Sequence, residues 1–381
     1  MYISNQADLA LLIEKLKGSR LIAIDTEFHY EKTYYAKLCL VQVCNGDIDA
    51  IIDPLRIGNL KPLGELLSDP DIVKVFHAGN QDIEILNRVV GVCPSPIFDT
   101  QVAAGLLGYP QQLGLSALVK AFCDVNLAKT DSLTDWTRRP LSPTQIEYAI
   151  DDVLYLPQIY DKMAAQLEKS GRMEWLKSDF EHMSDPATYV VDPDQMWRKV
   201  KRVSSLTRKQ LAVAQVMASW RERTAQRRNL PRKWVLPDEM IVEVSRRCPT
   251  TRESMLEIRG FGDRLAESSI KEILADIKKA LEADPESWPR IAKSSGRQKE
   301  VEGAVDLMAT LLHLRAKQNA VTTQVLCTRD DLVKLAKGEG DELPLLSGWR
   351  YRIVGNELMQ LLEGTISIAI VDGELVVEKR G

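Results

Sequence analysis

The sequence has few cysteines, and none of them is spaced as a CxxC pair. Six cysteines are scattered along the chain, and we expect a protein of the reducing cytoplasm. The first residues lack a basic segment followed by an apolar run, as a secretory signal would need. The longest stretch without a charged residue, 100–119, contains Pro110 and three glycines, which does not suit a membrane-spanning helix. We therefore expect a cytoplasmic protein that does not contact a membrane.

The composition excludes several classes of protein. Hydrophobic residues make up 45% and charged residues 27% of the 381 residues, which is ordinary for soluble globular proteins. Collagen-like, coiled-coil and wholly disordered chains are excluded. A chain of 42.9 kDa predicts two or three domains of roughly 100 to 200 residues each.

The formal net charge of −4 conceals an uneven distribution of charge. Twelve lysines and arginines lie between Arg198 and Lys233, against a single acid, Glu222, so the rest of the chain is strongly acidic. A basic segment of this kind suits a polyanion, and an acidic remainder suits a metal-loaded active site. The alternative is that the basic segment is a solvated helix face.

Residues 20–160 alternate strand-like and helix-like patterns, which predicts a mixed α/β domain. Strands are predicted over 21–28, 37–43, 49–52 and 73–76, with a fifth beginning at Ile97. Asn45-Gly46-Asp47 predicts a hairpin between the second and third of these strands. One helix is predicted over 81–90, and another begins at Ser142-Pro143 and is interrupted at Pro157.

After residue 171 the pattern is helical almost to the end of the chain. Helical blocks are predicted over 206–281 and 300–362, separated by a Pro- and Ser-containing segment at 284–296. Apolar segments on either side of Asp372-Gly373 predict a terminal β-hairpin.

Two carboxylates lie on one predicted strand. Asp25 and Glu27 are two residues apart in LIAIDTEF, and the strand period of two places both on the same face. Two buried acids repel each other unless a cation neutralises them, and Mg²⁺ prefers carboxylate oxygens. The alternative is that Asp25 caps the end of the strand while Glu27 pairs with a lysine.

Two further elements carry groups that suit the same site. Asp82 follows the predicted strand at 73–76, and Tyr148 and Asp152 are four residues apart on a predicted helix, so they face the same way. Three separate elements can therefore bring four carboxylates to one point. Taken singly, Asp82 would be a helix cap, Asp152 a solvated acid and Tyr148 a half-buried aromatic residue.

These motifs resemble those of the DEDDy class of 3′–5′ exonucleases. The matching segments are Asp25-Thr26-Glu27, HAGNQD ending in Asp82, and Tyr148-x-x-x-Asp152. Their context is similar to the ribonuclease D family, especially in VFHAGNQDIEIL and KTDSLTDWTRRPLSPTQIEYAIDDVLYL. Asp151 adjoins Asp152, but only Asp152 fits Tyr-x3-Asp, so we assign Asp152.

The two helical blocks resemble HRDC domains, which are helical modules that bind nucleic acids. The similar segments are LAVAQVMASWRERTAQRRNLP and LEIRGFG in the first block and LPLLSGWR in the second. The resemblance implies an α/β mixed-sheet, ribonuclease H-like (DnaQ-like) exonuclease domain followed by two all-α HRDC domains. We predict the exonuclease domain over 1–180, a linker over 181–205, the first HRDC domain over 206–285, a linker over 286–299 and an HRDC-like domain over 300–381. The hairpin Thr365 to Lys379 has no HRDC counterpart and would be an edge strand or a dimer contact.

The resemblance implies a 3′–5′ exoribonuclease that releases nucleoside 5′-monophosphates by a two-metal-ion mechanism. The ions would be Mg²⁺, with Mn²⁺ or another divalent cation as the alternative. Asp25 would bridge both ions, Glu27 and Asp152 would hold the ion beside the attacking water, and Asp82 would hold the other. Tyr148 would orient that water. The implied partner is RNA, with tRNA precursors as substrates and no obligate protein partner.

Further residues are predicted to contact RNA. Phe28 would stack on the terminal base or pack in the core. His77 would contact phosphate or ribose, or serve as a structural histidine. Lys129 lies in a segment that resembles the family's substrate-side loop and would contact a phosphate. The basic segment would hold phosphates without reading sequence, through Arg227, Arg228, Arg232 and Lys233.

Two other functions stay open. A DNA exonuclease, like those associated with RecQ-type helicases, would not require the ribose 2′-OH. A nucleic-acid-binding scaffold would carry an inactive nuclease domain, although the complete set of acids argues against it.

Overall fold

Six strands form a mixed sheet in the computed structural model, which describes residues 1–30, 32–110, 112–128, 134–261, 265–291, 301–340 and 343–380. The strands are β1 (Tyr2–Ile3), β2 (Leu21–His29), β3 (Lys37–Cys44), β4 (Asp49–Ile52), β5 (Val73–Phe76) and β6 (Ile97–Asp99). Their order is β1-β4-β3-β2-β5-β6. β3 and β4 are antiparallel, and the pairs β1–β4, β2–β5 and β5–β6 are parallel. The sheet confirms the predicted mixed α/β class.

Eight α-helices accompany the sheet in the described ranges. They are α1 (Gln6–Leu16), α2 (Leu63–Ser68), α3 (Asn80–Val90), α4 (Thr100–Leu106), α5 (Leu115–Cys123), α6 (Pro143–Leu154), α7 (Leu156–Lys169) and α8 (Lys177–Met183). The predicted interruption at Pro157 is confirmed, because α6 ends three residues before it. Ser142 caps α6 in a reciprocal capping box with Gln145.

The two faces of β2 are buried against different helices. Ile22 and Ile24 lie near Leu66 of α2, whereas Leu21 and Ala23 share a core with residues of α6 and α7. Side chains two residues apart on a strand share a face. Asp25 and Glu27 therefore continue the row of Leu21 and Ala23, on the side of the sheet that α6 and α7 cover.

The predicted hairpin between β3 and β4 is confirmed. Gly46 adopts a φ of 101° in its turn, a conformation that glycine permits without strain. Asn45 Oδ1 accepts hydrogen bonds from the backbone N–H groups of Asp47 and Ile48, at 3.1 and 2.8 Å. The turn therefore carries its own side-chain support.

The chain divides into two compact units. Unit 1 comprises Met1–Phe28, Leu38–Tyr189 and Arg297–Gly381, and unit 2 comprises His29–Lys37 and Val190–Gly296. The C-terminal elements of unit 1 are α14 (Glu302–Gln318), α15 (Thr323–Leu326), α16 (Arg329–Lys337), α17 (Gly348–Arg350), α18 (Asn356–Glu363), β7 (Ile366–Val371) and β8 (Glu374–Lys379). β7 and β8 pair antiparallel, which confirms the predicted terminal hairpin.

Within unit 1 the C-terminal helices share one hydrophobic core with the sheet domain. Trp175 and Trp349 stack with ring centroids 4.6 Å apart, and Trp349 donates its indole N–H to the Trp175 carbonyl at 3.0 Å. Arg350 donates to both carboxylate oxygens of Asp179, at 3.0 and 2.8 Å. The second helical block is thus packed into the same folded unit as the sheet.

Unit 2 contains the remaining helices. They are α9 (Arg208–Arg228), α10 (Arg232–Val235), α11 (Asp238–Arg247), α12 (Arg252–Leu256) and α13 (Glu267–Glu282). Residues 190–205, part of the predicted linker, form 3₁₀ turns that bury Trp197 and Val200 in the core of this unit. Met196, Trp197, Val200 and Val203 follow a helical spacing, so the sequence did carry a local signal for this packing. No helix in the described ranges is long and apolar enough to cross a membrane.

The segment between β2 and β3 belongs to unit 2 and packs on α9. Tyr34 donates its phenol hydrogen to Glu222, and Arg232 lies over the Tyr34 ring at 4.8 Å from its centroid. Asn229 Oδ1 accepts from the backbone N–H groups of Tyr34 and Tyr35, at 3.1 and 3.0 Å. Asn229 ends α9 in the left-handed conformation, which asparagine tolerates better than most residues.

Candidate active site

Three carboxylates meet beside the centre of the sheet. Single oxygens of Asp25, Glu27 and Asp152 all lie within 4.8 Å of one another. Asp25 lies in the middle of β2 and not at its end, which excludes the alternative role of a strand cap. The predicted convergence of the first and third motifs is therefore present in the structure.

Helix α6 delivers the third carboxylate. Ala149 and Val153 are buried on its inner side. Tyr148 and Asp152 each precede one of these residues, so they lie one turn apart next to the buried side. Asp152 belongs to the carboxylate cluster and Asp151 does not. The ring of Tyr148 lies 6.0 Å from the ring of Trp136, at an interplanar angle of 37°.

Asp82 lies in the first turn of α3 and is 7% exposed. It does not cap the helix, whose N-cap is Gly79. Thr26, between the two acids of β2, donates its hydroxyl hydrogen to Asp82 Oδ1. Asp82 is thus tied to the strand that carries the first motif, although it stands outside the group of three close carboxylates.

The turn that precedes α3 is built around a buried acid. Asp99 accepts hydrogen bonds from the backbone N–H groups of Ala78 and Gly79, at 3.3 and 2.7 Å, and it also caps α4. A Cβ atom at Gly79 would lie 2.5 Å from Cβ of Phe76. Only glycine fits this position, so the turn that aims Asp82 depends on both residues.

Burial and mutual repulsion disfavour the charged forms of the acids. Burial, reinforced by the neighbouring carboxylates, raises the pKa of Glu27 to about 8 and that of Asp152 to about 7. The same causes raise the pKa of Asp25 well above its usual value. Burial raises the pKa of Asp82 to about 6, while the hydrogen bond from Thr26 opposes this shift.

The donor set fits hard divalent cations. All four groups offer carboxylate oxygens, which Mg²⁺ and Mn²⁺ prefer. No lysine or arginine in the described ranges pairs with any of them, and the charges that act most strongly on Asp25 are those of other acids. The alternative pairing of Glu27 with a lysine is thus absent there. Cations would relieve this repulsion, which no lysine or arginine in the described ranges relieves.

A buried ion pair supports the chain that leads into α6. Arg139 donates to both oxygens of the fully buried Asp53, at 2.6 and 2.8 Å. The same guanidinium donates to the carbonyls of Trp136 at 2.8 Å and Cys39 at 2.9 Å. Arg139 thereby fixes the turn that carries Trp136, and Trp136 packs beside Tyr148.

The residues predicted to contact RNA in unit 1 occupy different surroundings. Phe28 is half-buried at the end of β2. His77 shares a hydrogen bond of 2.9 Å between Nδ1 and Thr100 Oγ1, and its buried Nε2 has no hydrogen-bond partner among the described residues. Burial lowers the pKa of His77, so the ring is neutral at pH 7. Lys129 lies outside the described residues.

The basic segment divides into paired and unpaired side chains. Arg232 forms a two-pronged ion pair with the buried Glu222, at 2.6 and 2.8 Å, and Arg221 is buried against Asp238 at 2.7 Å. Arg227, Arg228 and Lys233 are exposed. Of the four predicted phosphate contacts, Arg232 is therefore already engaged within the protein.

Several residues of the site were not found from the sequence. Thr26 stood inside a recognised motif, but its bond to Asp82 spans 56 residues. Asp99 had the signal of an acid that directly follows a predicted strand. The pairing of Asp53 with Arg139 gave no local signal, because an ion pair between residues 86 positions apart exists only in the folded chain.

Comparisons with known proteins show which proteins this chain is similar to. The sequence model of the 3′–5′ exonuclease family matches residues 1–168, and that of the HRDC domain matches residues 210–277. The chain is 38% identical to ribonuclease D of Sphingobium indicum over 98% of its length and 97% of that protein. It is 37% identical to ribonuclease D of Granulibacter bethesdensis over 98% and 95%. The crystal structure of Escherichia coli RNase D, an exoribonuclease involved in structured RNA processing, superposes with a TM-score of 0.82 at 32% identity, covering 96% of this chain and 98% of that one.

Proposed function

The chain belongs to the ribonuclease D family of 3′–5′ exoribonucleases, and we propose that it trims structured RNA, tRNA precursors among them, with two divalent cations. The observation that carries the cation requirement is the group of three carboxylates within 4.8 Å. Asp25, Glu27 and Asp152 would hold one ion, and Asp82 would hold a second together with Asp25. The RNA class is inferred from the family resemblance and from the Escherichia coli relative.

The residues of the chain have separable roles in hydrolysis. Bound Mg²⁺ ions would activate a water molecule and neutralise the charge that develops on the phosphate and the leaving 3′ oxygen. The four carboxylates would hold these ions in their deprotonated forms. Release of single nucleoside 5′-monophosphates follows if the water attacks the phosphorus of the last phosphodiester and the 3′ oxygen of the penultimate nucleotide leaves, becoming the new 3′ hydroxyl.

Tyr148 positions the attacking water in this proposal. Burial and the adjacent carboxylates raise its pKa, so the phenol stays protonated at neutral pH. A protonated phenol donates a hydrogen bond and does not remove a proton. The contribution of Tyr148 is therefore to orient the water. Trp136 packs beside the Tyr148 ring, and Arg139 supports Trp136 through its carbonyl.

The experiment that tests the proposal compares matched RNA and DNA. A tRNA precursor with an extended 3′ end, labelled at its 5′ end, should shorten stepwise with Mg²⁺ and stop with EDTA. The single-stranded DNA of the same 3′ sequence should be degraded more slowly. Equal rates would favour a DNA exonuclease, and no cleavage of either would indicate a binding scaffold. Digestion that persists in EDTA would contradict the role of the carboxylates.

A further inference from the structure

Unit 2 presents one tryptophan to solvent beside a groove. The Trp234 side chain is 52% exposed, whereas Trp197 and Trp220 are each 2% exposed. Trp288 is half-buried and donates its indole N–H to the Ala280 carbonyl at 2.9 Å. Three of the four tryptophans of this unit are thus used in folding, and Trp234 is held at the surface.

The local fold explains why Trp234 cannot turn inward. It lies on α10, a single turn whose next residues, Val235 and Leu236, are buried in the core of unit 2. The preceding Arg232 is fixed by its ion pair with Glu222. With both sides of the turn anchored, Lys233 and Trp234 face solvent.

Trp234 lines an open cavity of 660 Å³ whose charge is mainly positive. Its charged lining residues are Lys199, Lys201, Arg221, Arg232, Lys233, Asp238 and Glu239. Arg221 is neutralised by Asp238 and Arg232 by Glu222. Three exposed lysines remain against the single carboxylate of Glu239, and none of the three forms an ion pair within the described part of the chain.

We propose that this groove binds a single-stranded stretch of RNA, with one base stacked on Trp234 and the flanking phosphates on Lys199, Lys201 and Lys233. An exposed indole beside several unpaired cations is the combination that binds single strands without reading their sequence. Stacking on the ring requires an unpaired base, which a duplex does not offer. The assignment rests on the proposed RNA substrate, and it names Trp234, which directly follows the basic segment, as an RNA contact in place of Arg232.

The binding test uses the full chain in EDTA, so that RNA is not consumed. The probe is a fluorescein-labelled oligoadenylate of twelve nucleotides, followed by fluorescence anisotropy. Trp234→Ala should weaken binding at least about fivefold, and Trp234→Phe should retain most of the affinity, because loss of one stacked base costs this much or more. Equal affinity of wild type and Trp234→Ala would overturn the stacking role, as would equal weakening on a matched RNA duplex.

The lysines are tested by the salt dependence of binding. Changing Lys199, Lys201 and Lys233 to Gln should flatten the slope of log affinity against log salt by about 2, since each single-strand phosphate contact contributes about 0.7. The matched control changes three exposed lysines of the same unit, Lys271, Lys278 and Lys279, to Gln. An equal change of slope in the control would show that net charge, and not this groove, determines affinity.

A separate assay distinguishes this inference from the proposed function. Hydrolysis of the same oligoadenylate is followed with Mg²⁺. Digestion by the wild type together with unchanged binding by Trp234→Ala would overturn the groove alone. Binding that depends on Trp234, without digestion by the wild type, would overturn the exonuclease proposal and leave the groove standing.

Discussion

Thr26 donates its hydroxyl hydrogen to Asp82, so the residue between the two acids of the first motif holds the acid of the second. Asp82 is buried and stands apart from the three close carboxylates. The hydroxyl ties Asp82 to β2 and, together with backbone hydrogen bonds at Thr26 and Asp82, keeps the pKa of Asp82 lower than burial alone would.

The Thr26 contact predicts the effect of removing the hydroxyl. Thr26→Val leaves a buried carboxylate oxygen without its donor, and kcat/KM should fall about tenfold or more. The pKa of Asp82 should rise further above 6, so the Mg²⁺ concentration required for activity should increase more at pH 6 than at pH 8. Thr26→Ser, which keeps the hydroxyl, is the control. Similar losses in both variants would mean that the methyl group matters and the hydrogen bond does not.

The third motif predicts different outcomes for two adjacent acids. Asp152→Asn should abolish hydrolysis, because it removes a carboxylate from the cluster, while RNA binding by unit 2 should largely survive. Asp151→Asn should retain activity, since Asp151 lies outside the cluster. Gel assays with labelled RNA and anisotropy in EDTA measure the two properties separately. Activity in Asp152→Asn combined with its loss in Asp151→Asn would reverse the assignment.

The raised pKa values predict how stability depends on pH. In metal-free protein Asp82, Asp152 and Glu27 have pKa values of about 6, 7 and 8, above those of the unfolded chain. The folded state therefore holds protons that the unfolded state has lost, and the unfolding free energy should fall as pH rises from about 4 to 8.

Added Mg²⁺ should reverse this trend. Cations bind the deprotonated acids, so the increase in melting temperature on adding Mg²⁺ should grow between pH 5 and about pH 8. Differential scanning fluorimetry with and without EDTA checks both slopes. Glu27→Gln is the control and should flatten the upper part of the metal-free curve. A Mg²⁺ effect that did not change with pH would argue against carboxylate ligands.

The ion pair of Arg139 and Asp53 predicts a coupled loss of stability and rate. Arg139→Met removes the two-pronged partner of the buried Asp53 and leaves it the Tyr2 hydroxyl and the more distant Arg56, at 3.8 Å. This loss should cost about 3 kcal/mol of unfolding free energy. The turn at Trp136 would then lose its support, and kcat should fall more than KM rises. The double variant Arg139→Met/Asp53→Leu should recover part of the stability. Without such recovery, the pair would not be the cause of the loss.

The stacked tryptophans predict that the C-terminal helices stabilise the nuclease fold. Trp349→Ala removes a ring that is buried against Trp175 and should cost about 3 to 5 kcal/mol. Leu307→Ala, at a side chain that is 52% exposed in the same block, should change stability by less than about 0.5 kcal/mol. Urea denaturation followed by intrinsic fluorescence measures both. Equal small effects would show that the block folds independently.

Local sequence patterns predicted most of the strands of the sheet, whereas pairing between distant segments could not be predicted from the sequence. The period of two in LIAIDTEF and the Asn45-Gly46-Asp47 turn predicted β2, β3 and β4, because strand alternation and turn chemistry are properties of neighbouring residues. β1 has only two residues, which is too short for any period. It forms a strand only because it pairs with β4.

The basic segment shows the same limit for function. Its charges could be counted from the sequence, but the partners of Arg221 and Arg232 depend on how α9, α10 and α11 pack. The number of charges in a segment sets an upper limit on how many can contact a ligand. Ion pairs within the protein decide how many of them are available. The exposure of Trp234 likewise depended on where its neighbours were anchored.

The shared core of unit 1 also determines when the nuclease can be completed during translation. Trp175 obtains its stacking partner only after residue 349 has left the ribosome, while every segment of unit 2 lies N-terminal to Arg297. Nascent chains fold as segments become available. Unit 2 can thus finish folding while the nuclease core is still open, so the catalytic unit is completed late in synthesis.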